Sequence, residues 1–317
     1  MRHFTSLYDV PDLGRLLRTA ADVKRNPLAR PDLGRGKVLG LIFFHSSLRT
    51  RLSTQRAAMN LGLEVIVMNV GSDAWKLEFA DGTVMDGDTA EHVRDAVAVM
   101  GQYCDILGVR TFAGLQDKEA DYAEPVLQAF IDHAGVPILS LESATRHPLQ
   151  SLADWVTIET YKQVERPKVV LTWAPHPRAL PQAVANSFVE WMRQAEVDLV
   201  ITHPEGYELS PRFVHDTPVE YDPVKAYEGA DFIYAKNWSA YYDYGQILSQ
   251  DRRWLVDAEK MARTSEAHFM HCLPVRRNVV VADAVIDSPQ SLVIPQAGHR
   301  VVSAQAVLQE MLVHLGG

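Results

Sequence analysis

Apolar runs of strand length alternate along this chain with longer segments whose apolar residues recur at helical spacing. That pattern belongs to parallel sheets covered by helices on both faces. In the first half the runs at 38–43, 65–69, 105–109 and 136–141 predict strands, and 48–61, 89–103 and 123–133 predict the helices between them. A helix over about 150–161 leads to Pro167, after which a second set begins. Its predicted strands are 168–173, 198–202, 232–236, 267–271 and 291–294, and its clearest helix is 182–195. A last helix over 303–315 follows the second set and is expected to return to the first domain. The predicted fold class is α/β with two domains, each a parallel sheet flanked by helices. Residues 1–149 with the C-terminal helix 302–317 form one domain, and residues 150–301 the other.

In open α/β sheets ligands bind beyond the carboxyl ends of the strands. Three blocks sit at such ends: Ser47-Leu48-Arg49-Thr50-Arg51, His147-Pro148-Leu149-Gln150, and His271-Cys272-Leu273-Pro274-Val275-Arg276-Arg277. The first joins a predicted strand to a helix N-terminus, where free backbone N–H groups and the positive end of the helix dipole hold phosphate. Hydroxyls of Ser47 and Thr50 and the fork of Arg49 suit the same anion. By itself a Ser-x-Arg-Thr string is equally an ordinary helix cap with a surface ion pair. The common placement of all three blocks favours a site for a small anionic substrate.

Composition narrows the partners. The chain has 317 residues and a formal net charge of −9, without the clustered Lys and Arg of a nucleic-acid surface. No run of apolar residues is long enough to span a membrane, and Met1 to Val10 lacks the apolar stretch of a signal peptide, so a cytoplasmic location is expected. Cys104 and Cys272 are too few for a disulfide framework. His268, His271 and Cys272 have metal-ligand chemistry, but strand alternation puts His268 and His271 on opposite faces, so no metal site is expected.

The Ser-x-Arg-Thr-Arg, His-Pro-x-Gln and His-Cys-Leu-Pro blocks, in this order and spacing, resemble the aspartate and ornithine carbamoyltransferase superfamily over nearly the whole chain. The likeness is greatest to the branch acting on N-acylated ornithine, through Gly82 to Met85, Glu142 to Thr145, Trp173 to Pro177, Tyr234 to Trp238 and His271 to Asn278. The resemblance implies that Ser47, Leu48, Arg49 and Thr50 bind the phosphate of carbamoyl phosphate, joined by Arg110. It implies that His147 and Gln150, with Pro148 and Leu149 between them, hold the carbamoyl group. Cys272 and Leu273 would lie near the attacking amine, Arg300 would contact the carbamoyl phosphate oxygens, and His147, Cys272 and Arg49 would be the catalytic set. Trp75 matches a tryptophan that relatives insert into a neighbouring subunit's site, which implies a homotrimer. No cofactor is implied.

The acceptor follows from charge. The ornithine branch meets a free α-ammonium with an acidic residue before Ser-Met-Gly, whereas this chain offers Lys236-Asn237-Trp238-Ser239. A cation there fits an acylated, uncharged α-nitrogen. Lys236 and Arg276 then look like partners for carboxylates, with Glu142 and His176 completing the pocket by resemblance. Relatives resembling the acetyl enzyme carry Glu where this chain has Ala90 and Lys where it has Val280. A Glu at about 4 Å from a succinyl carboxylate would cost about 4 kcal/mol at an effective dielectric of about 20. Ala90 removes that repulsion. The expected acceptor is therefore N-succinylornithine and the alternative N-acetylornithine. A non-catalytic sensor of carbamoyl phosphate is the alternative from another class.

Overall fold

The structure is a computed structural model that describes residues 1–316. The chain divides into two compact units: residues 1–114, 119–149 and from 300 onward in the first, and residues 115–118 with 150–299 in the second.

The first unit is built on the parallel sheet β2-β1-β5-β6, from β1 (Val38–Phe43), β2 (Glu64–Asn69), β5 (Ile106–Arg110) and β6 (Ile138–Glu142). Parallel strands need crossovers, which α2 (Arg49–Asn60), α3 (Val93–Tyr103) and α5 (Pro125–His133) provide. Strands β5 and β6 are buried at every residue, whereas β2, at the opposite edge from β6, leaves Glu64 and Ile66 exposed. Ile42, Leu107, Val109 and Ile138 pack with Val97 and Phe130 of the covering helices. Two short strands, β3 (Leu77–Glu78) and β4 (Glu91–His92), pair with each other in a separate ladder. Helix α1 (Leu13–Arg25) is capped by the Asp12 carboxylate, which accepts the Arg15 N–H at 2.8 Å. A short helix, α4 (Lys118–Ala123), precedes α5.

The second unit carries a five-stranded parallel sheet, β11-β10-β7-β8-β9. Its strands are β7 (Lys168–Trp173), β8 (Asp198–Thr202), β9 (Val219–Glu220), β10 (Phe232–Lys236) and β11 (His268–Met270). Around it lie α6 (Pro148–Tyr161), α7 (Ala183–Met192), α8 (Pro211–Val214), α9 (Pro223–Tyr227), α10 (Ala258–Met261) and α11 (Asp283–Ile286). Val170, Ile233 and Phe269 meet Tyr227, Val280 and Val281 in one core.

The final helix, α12 (Val293–Gly316), returns to the first unit as expected. Asn60 Nδ2 donates to Gln305 Oε1 at 2.8 Å, Ser303 Oγ to the Leu149 carbonyl at 2.6 Å, and Thr19 Oγ1 to Glu310 Oε1 at 2.8 Å. No helix among the described residues is long and apolar enough to cross a membrane.

Two predicted elements are corrected. The segment 291–294 is not a strand: Ser291 forms one isolated bridge with Phe269, and α12 starts at Val293, ten residues before its predicted start. The apolar Leu-Val-Ile run has strand composition, but Pro295 falls in the first helical turn, where its missing N–H has no partner to lose. The helix predicted over 89–103 starts at Val93, because Glu91 and His92 pair with Leu77 and Glu78. Helix α1 had not been anticipated.

Gly101 marks a close approach of α3 to the end of α5, since a Cβ there would lie 1.9 Å from the Ala134 carbonyl oxygen. Helix propensity favours Gly101→Ala by up to about 1 kcal/mol, and this clash opposes it. We expect the clash to win, with Gly101→Ala lowering stability by about 1–3 kcal/mol in denaturant unfolding.

Candidate active site

In the first unit, the ends of β1, β5 and β6 converge through Arg110, the last residue of β5. Its Nη1 donates to the carbonyls of His45 and Ser46, each at 2.9 Å, and its Nη2 donates to Glu142 Oε2 at 2.8 Å. The guanidinium also lies 4.2 Å over the Phe112 ring. Just beyond, the Ser47 hydroxyl accepts the Thr50 N–H at 3.2 Å and so caps the first turn of α2. Leu48 occupies the cap position and is exposed, while Arg49 opens the helix half-buried. Arg300 Nη2 donates to Thr50 Oγ1 at 2.6 Å and lies 3.4 Å from His147 Nε2, which is itself 3.8 Å from Glu142 Oε2. Thr50, Arg110, Glu142, His147 and Arg300, all buried, form one cluster with two guanidiniums and one carboxylate. Such a cluster suits an anionic ligand. Glu142, expected among the acceptor residues, stands here beside Arg110 and His147. Pro148 and Leu149 are buried at the start of α6.

Sequence reasoning missed Glu124, whose carboxylate holds the loop leading to His147. Its Oε1 accepts from Ser143 Oγ at 2.6 Å, Thr145 N at 2.8 Å and Thr145 Oγ1 at 2.7 Å. Glu124 sits in the left-handed region at φ 51°, a conformation with no signal in the sequence.

In the second unit, the segment after β11 carries His271, Cys272 and Leu273. Leu273 has φ 54°, its N–H donates to His271 Nδ1 at 2.9 Å, and its bond to Pro274 is cis. The His271 N–H donates to Gln296 Oε1 at 2.9 Å, and Gln296 Nε2 donates to Asp154 Oδ1 at 2.7 Å. Gln150 Nε2 donates to the same oxygen at 2.8 Å. The buried Tyr234 hydroxyl faces both Asp154 and Cys272, and burial pushes its pKa well above the usual phenol range. The spacing of Gln150 and Asp154, one helical turn apart, was a legible sign of their pairing; Gln296 had none.

Lys236, His176 and Arg276, named as an acceptor set, do come together. Arg276 Nε donates to His176 Nε2 at 3.1 Å, and Lys236 Nζ donates to the Asn237 carbonyl at 3.0 Å. His176 Nδ1 lies 3.0 Å from the Arg178 backbone nitrogen and 2.9 Å from the Arg178 carbonyl oxygen. Burial, then the charges of Arg276, Lys236 and Arg178, hold His176 below the usual histidine pKa, against the raising effect of the Arg178 backbone contact. Val280 is a core residue rather than a pocket residue.

Trp75 and Ala90 lie on the loop bearing β3 and β4. Trp75 is 59% exposed and its Nε1 donates to Glu91 Oε2 at 2.8 Å. The Ala90 N–H bonds the Lys76 carbonyl at 3.1 Å, leaving its methyl exposed. Glu91, its neighbour, is thus engaged by Trp75.

Two parallel α/β units, with a helix N-terminus and a guanidinium cluster at strand ends of the first, provide a site for an anionic ligand. Residues 2–160 match the aspartate/ornithine carbamoyltransferase carbamoyl-P binding domain, and residues 181–311 match the Asp/Orn binding domain. The chain belongs to the aspartate/ornithine carbamoyltransferase family. It is 58% identical over 317 residues to N-succinylornithine carbamoyltransferase of Bacteroides fragilis, covering 99% of this chain and 100% of that one. It is 37% identical over 339 residues to N-acetylornithine carbamoyltransferase of Xanthomonas axonopodis pv. citri, covering 100% and 98%. Among solved structures it is similar to N-acetyl-L-ornithine transcarbamylase with one glutamate replaced by alanine, complexed with carbamyl phosphate and N-succinyl-L-norvaline. That likeness has a TM-score of 0.91 at 36% identity, covering 98% of this chain and 100% of the other.

The cations around His176 lead to a prediction. As pH falls, a proton on Nε2 would face Arg276, so the ring should titrate at lower pH than an ordinary histidine. Arg276→Ala should raise the His176 pKa only part of the way back, since burial is the larger cause. Histidine NMR titration of the two proteins checks this.

Proposed function

We propose that this enzyme transfers the carbamoyl group of carbamoyl phosphate to the δ-amine of N-succinyl-L-ornithine. The products are N-succinyl-L-citrulline and phosphate, and the step belongs to arginine biosynthesis. The δ-nitrogen forms a bond to the carbamoyl carbon, the carbon–oxygen bond to phosphate breaks, and phosphate leaves with the electron pair as the amine gives up a proton. Ser47, Leu48, Arg49, Thr50 and Arg110 bind the phosphate. Arg300, Thr50 and His147 donate to the carbonyl oxygen as charge grows on it, and His147 and Gln150 hold the carbamoyl group. Cys272 and Leu273 lie near the attacking amine.

The observation that carries the acceptor is the cluster of Lys236, Arg276 and neutral His176, two cations and a hydrogen-bonding ring without a carboxylate partner of their own among the contacts described above. Such a cluster suits a diacid in which the α-nitrogen is uncharged. The Glu91 contact with Trp75 supports Ala90, rather than Glu91, as the residue that faces the acyl group. An acetyl-enzyme relative lacking one glutamate is described with an N-succinyl ligand, which agrees with charge at that position setting the preference. Glu142 contributes beside Arg110 and His147. The protein acts in the cytoplasm as a homotrimer in which Trp75 reaches a neighbouring subunit's site.

Purified protein supplied with carbamoyl phosphate and, separately, ornithine, N-acetylornithine, N-succinylornithine or aspartate should form ureido product chiefly from N-succinylornithine. Product from ornithine or aspartate instead overturns the assignment.

Ala90→Glu should lower kcat/KM for N-succinylornithine by about two to three orders of magnitude, the size of about 4 kcal/mol of repulsion between like charges near the protein surface. Activity on N-acetylornithine should hold or rise. Equal losses on both substrates would mean that residue 90 does not face the acyl group.

Subunit sharing makes a separate prediction. Trp75→Ala and Arg49→Ala proteins should each be weakly active, yet trimers reassembled from a mixture should contain some sites free of both defects and regain activity. No recovery, under conditions in which subunit exchange is demonstrated by mass, would place Trp75 in its own chain's site.

A further inference from the structure

In the second unit, the β7–β10 ladder ends at Trp173 and Lys236, and the chain beyond Lys236, residues 237–239, is buried but belongs to no strand. Buried carbonyls outside a ladder still need donors. Here four successive carbonyls find four different ones. Lys236 O accepts the Ala174 N–H at 3.2 Å, Asn237 O accepts from Lys236 Nζ at 3.0 Å, Trp238 O from Trp173 Nε1 at 2.9 Å, and Ser239 O from Gln182 Nε2 at 2.9 Å. The Lys236 ammonium therefore gives one of its three donors to a neutral carbonyl, and its charge remains for an anion.

Asn237 enters this arrangement twice. Its carbonyl holds Lys236 Nζ, and its side-chain Nδ2 donates to the Ala174 carbonyl at 2.8 Å. Ala174 lies two residues before His176, whose Nε2 accepts from Arg276 Nε at 3.1 Å. One buried residue thus links the Lys236 cation to the segment that carries His176 and, through it, Arg276.

We propose that Asn237 is a positioning residue that sets the spacing between Lys236 and the His176–Arg276 pair, so that the pocket selects the length of a dicarboxylate as well as its charge. This rests on the reading of Lys236 and Arg276 as partners for the acceptor's carboxylates and goes a step beyond it. Charge alone would admit a diacid of any arm length, because the methylene arm of an acyl group bends freely. A charge-assisted hydrogen bond tolerates only a few tenths of an ångström around its short optimum, and a single methylene changes the reach of the arm by more than that. Two cations held at one spacing therefore admit one length. Without the Asn237 amide the two cations keep their charges but shift independently.

N-acyl-L-norvalines, which lack the reactive δ-amine, read this spacing without turnover. Calorimetry on the full chain with saturating carbamoyl phosphate compares N-succinyl-L-norvaline with its N-glutaryl and N-acetyl counterparts. The wild-type protein should bind the succinyl compound at least about tenfold more tightly than the glutaryl one, the scale of one methylene in a shaped pocket. In Asn237→Leu, similar in shape but without a donor, that ratio should fall to within about twofold of unity. The succinyl compound should still bind more tightly than the acetyl one, and inorganic phosphate should bind as in the wild type. That pattern separates spacing from charge and from general damage. A folded Gln182→Met protein, which unties Ser239 but leaves Asn237 on Ala174, should keep the wild-type length preference; its loss there would mean that any loosening of the segment suffices, which overturns the proposal.

If none of the three compounds binds the wild-type protein, the acceptor reading itself falls. If the wild type binds the succinyl and glutaryl compounds equally, or folded Asn237→Leu keeps the wild-type ratio, the acceptor reading stands and the spacing role is overturned. Should Asn237→Leu not fold, Asn237→Ser takes its place with the same expectation, since its side chain is polar but too short to reach the Ala174 carbonyl.

Discussion

Arg110 is the constraint on which the first-unit site depends. One guanidinium at the end of a central strand joins the carbonyls of His45 and Ser46, which follow β1, to the carboxylate of Glu142, which ends β6. Three neighbouring strands therefore end in a single hydrogen-bonded arrangement, and the start of α2 is held in place by the loop that Arg110 grips. The pairing of β5 with β6 shifts register between Val109 and Arg110, which lets Arg110 stand opposite Glu142. A buried ion pair of this kind is weak evidence for stability, because desolvation offsets much of the attraction. Its value lies in direction: five donors on a planar fork fix where the neighbouring groups sit.

Local charge explains how a protein with a net charge of −9 handles two anionic substrates. In the first unit, Arg110 pairs with the one carboxylate, Glu142, and Arg300 binds Thr50, within a buried cluster where water screens little. In the second unit, Lys236 and Arg276 flank a histidine that their charges and its own burial keep neutral. A neutral His176 can accept from Arg276 and so aims that cation without opposing it. Acidic residues also lie in surface pairs, such as Arg166 with Asp198 and Arg277 with Asp287, where their effect on a buried site is small.

Buried carboxylates serve a further role as hubs. Glu124 gathers three donors from the loop before His147, and Asp154 gathers the carboxamides of Gln150 and Gln296. In each case a group remote from the reacting atoms fixes the orientation of groups nearer to them. Precision at a site depends on such support, since a side-chain amide or an imidazole has several orientations of similar energy until a partner selects one.

The order of strands and helices was legible in the sequence, since periodicity reports which face of each element meets the core. Strands β1, β7, β8 and β10 have the bounds that their apolar runs predicted. The same pattern placed the Ser47, His147 and Cys272 blocks at strand ends, where parallel sheets present ligands. Periodicity failed where composition and context disagree, as at 291–294, whose strand-like residues open a helix, and at Glu91 and His92, which join a ladder formed with a distant partner. What the sequence could not contain was the meeting of residues far apart along it. Arg300 on Thr50, Arg276 on His176, and Gln296 on Asp154 are contacts between elements separated by 250, 100 and 142 positions, and only the packed fold selects them. The left-handed turns at Glu124 and Leu273 belong with these, because a backbone conformation that a residue rarely adopts alone is imposed by its surroundings.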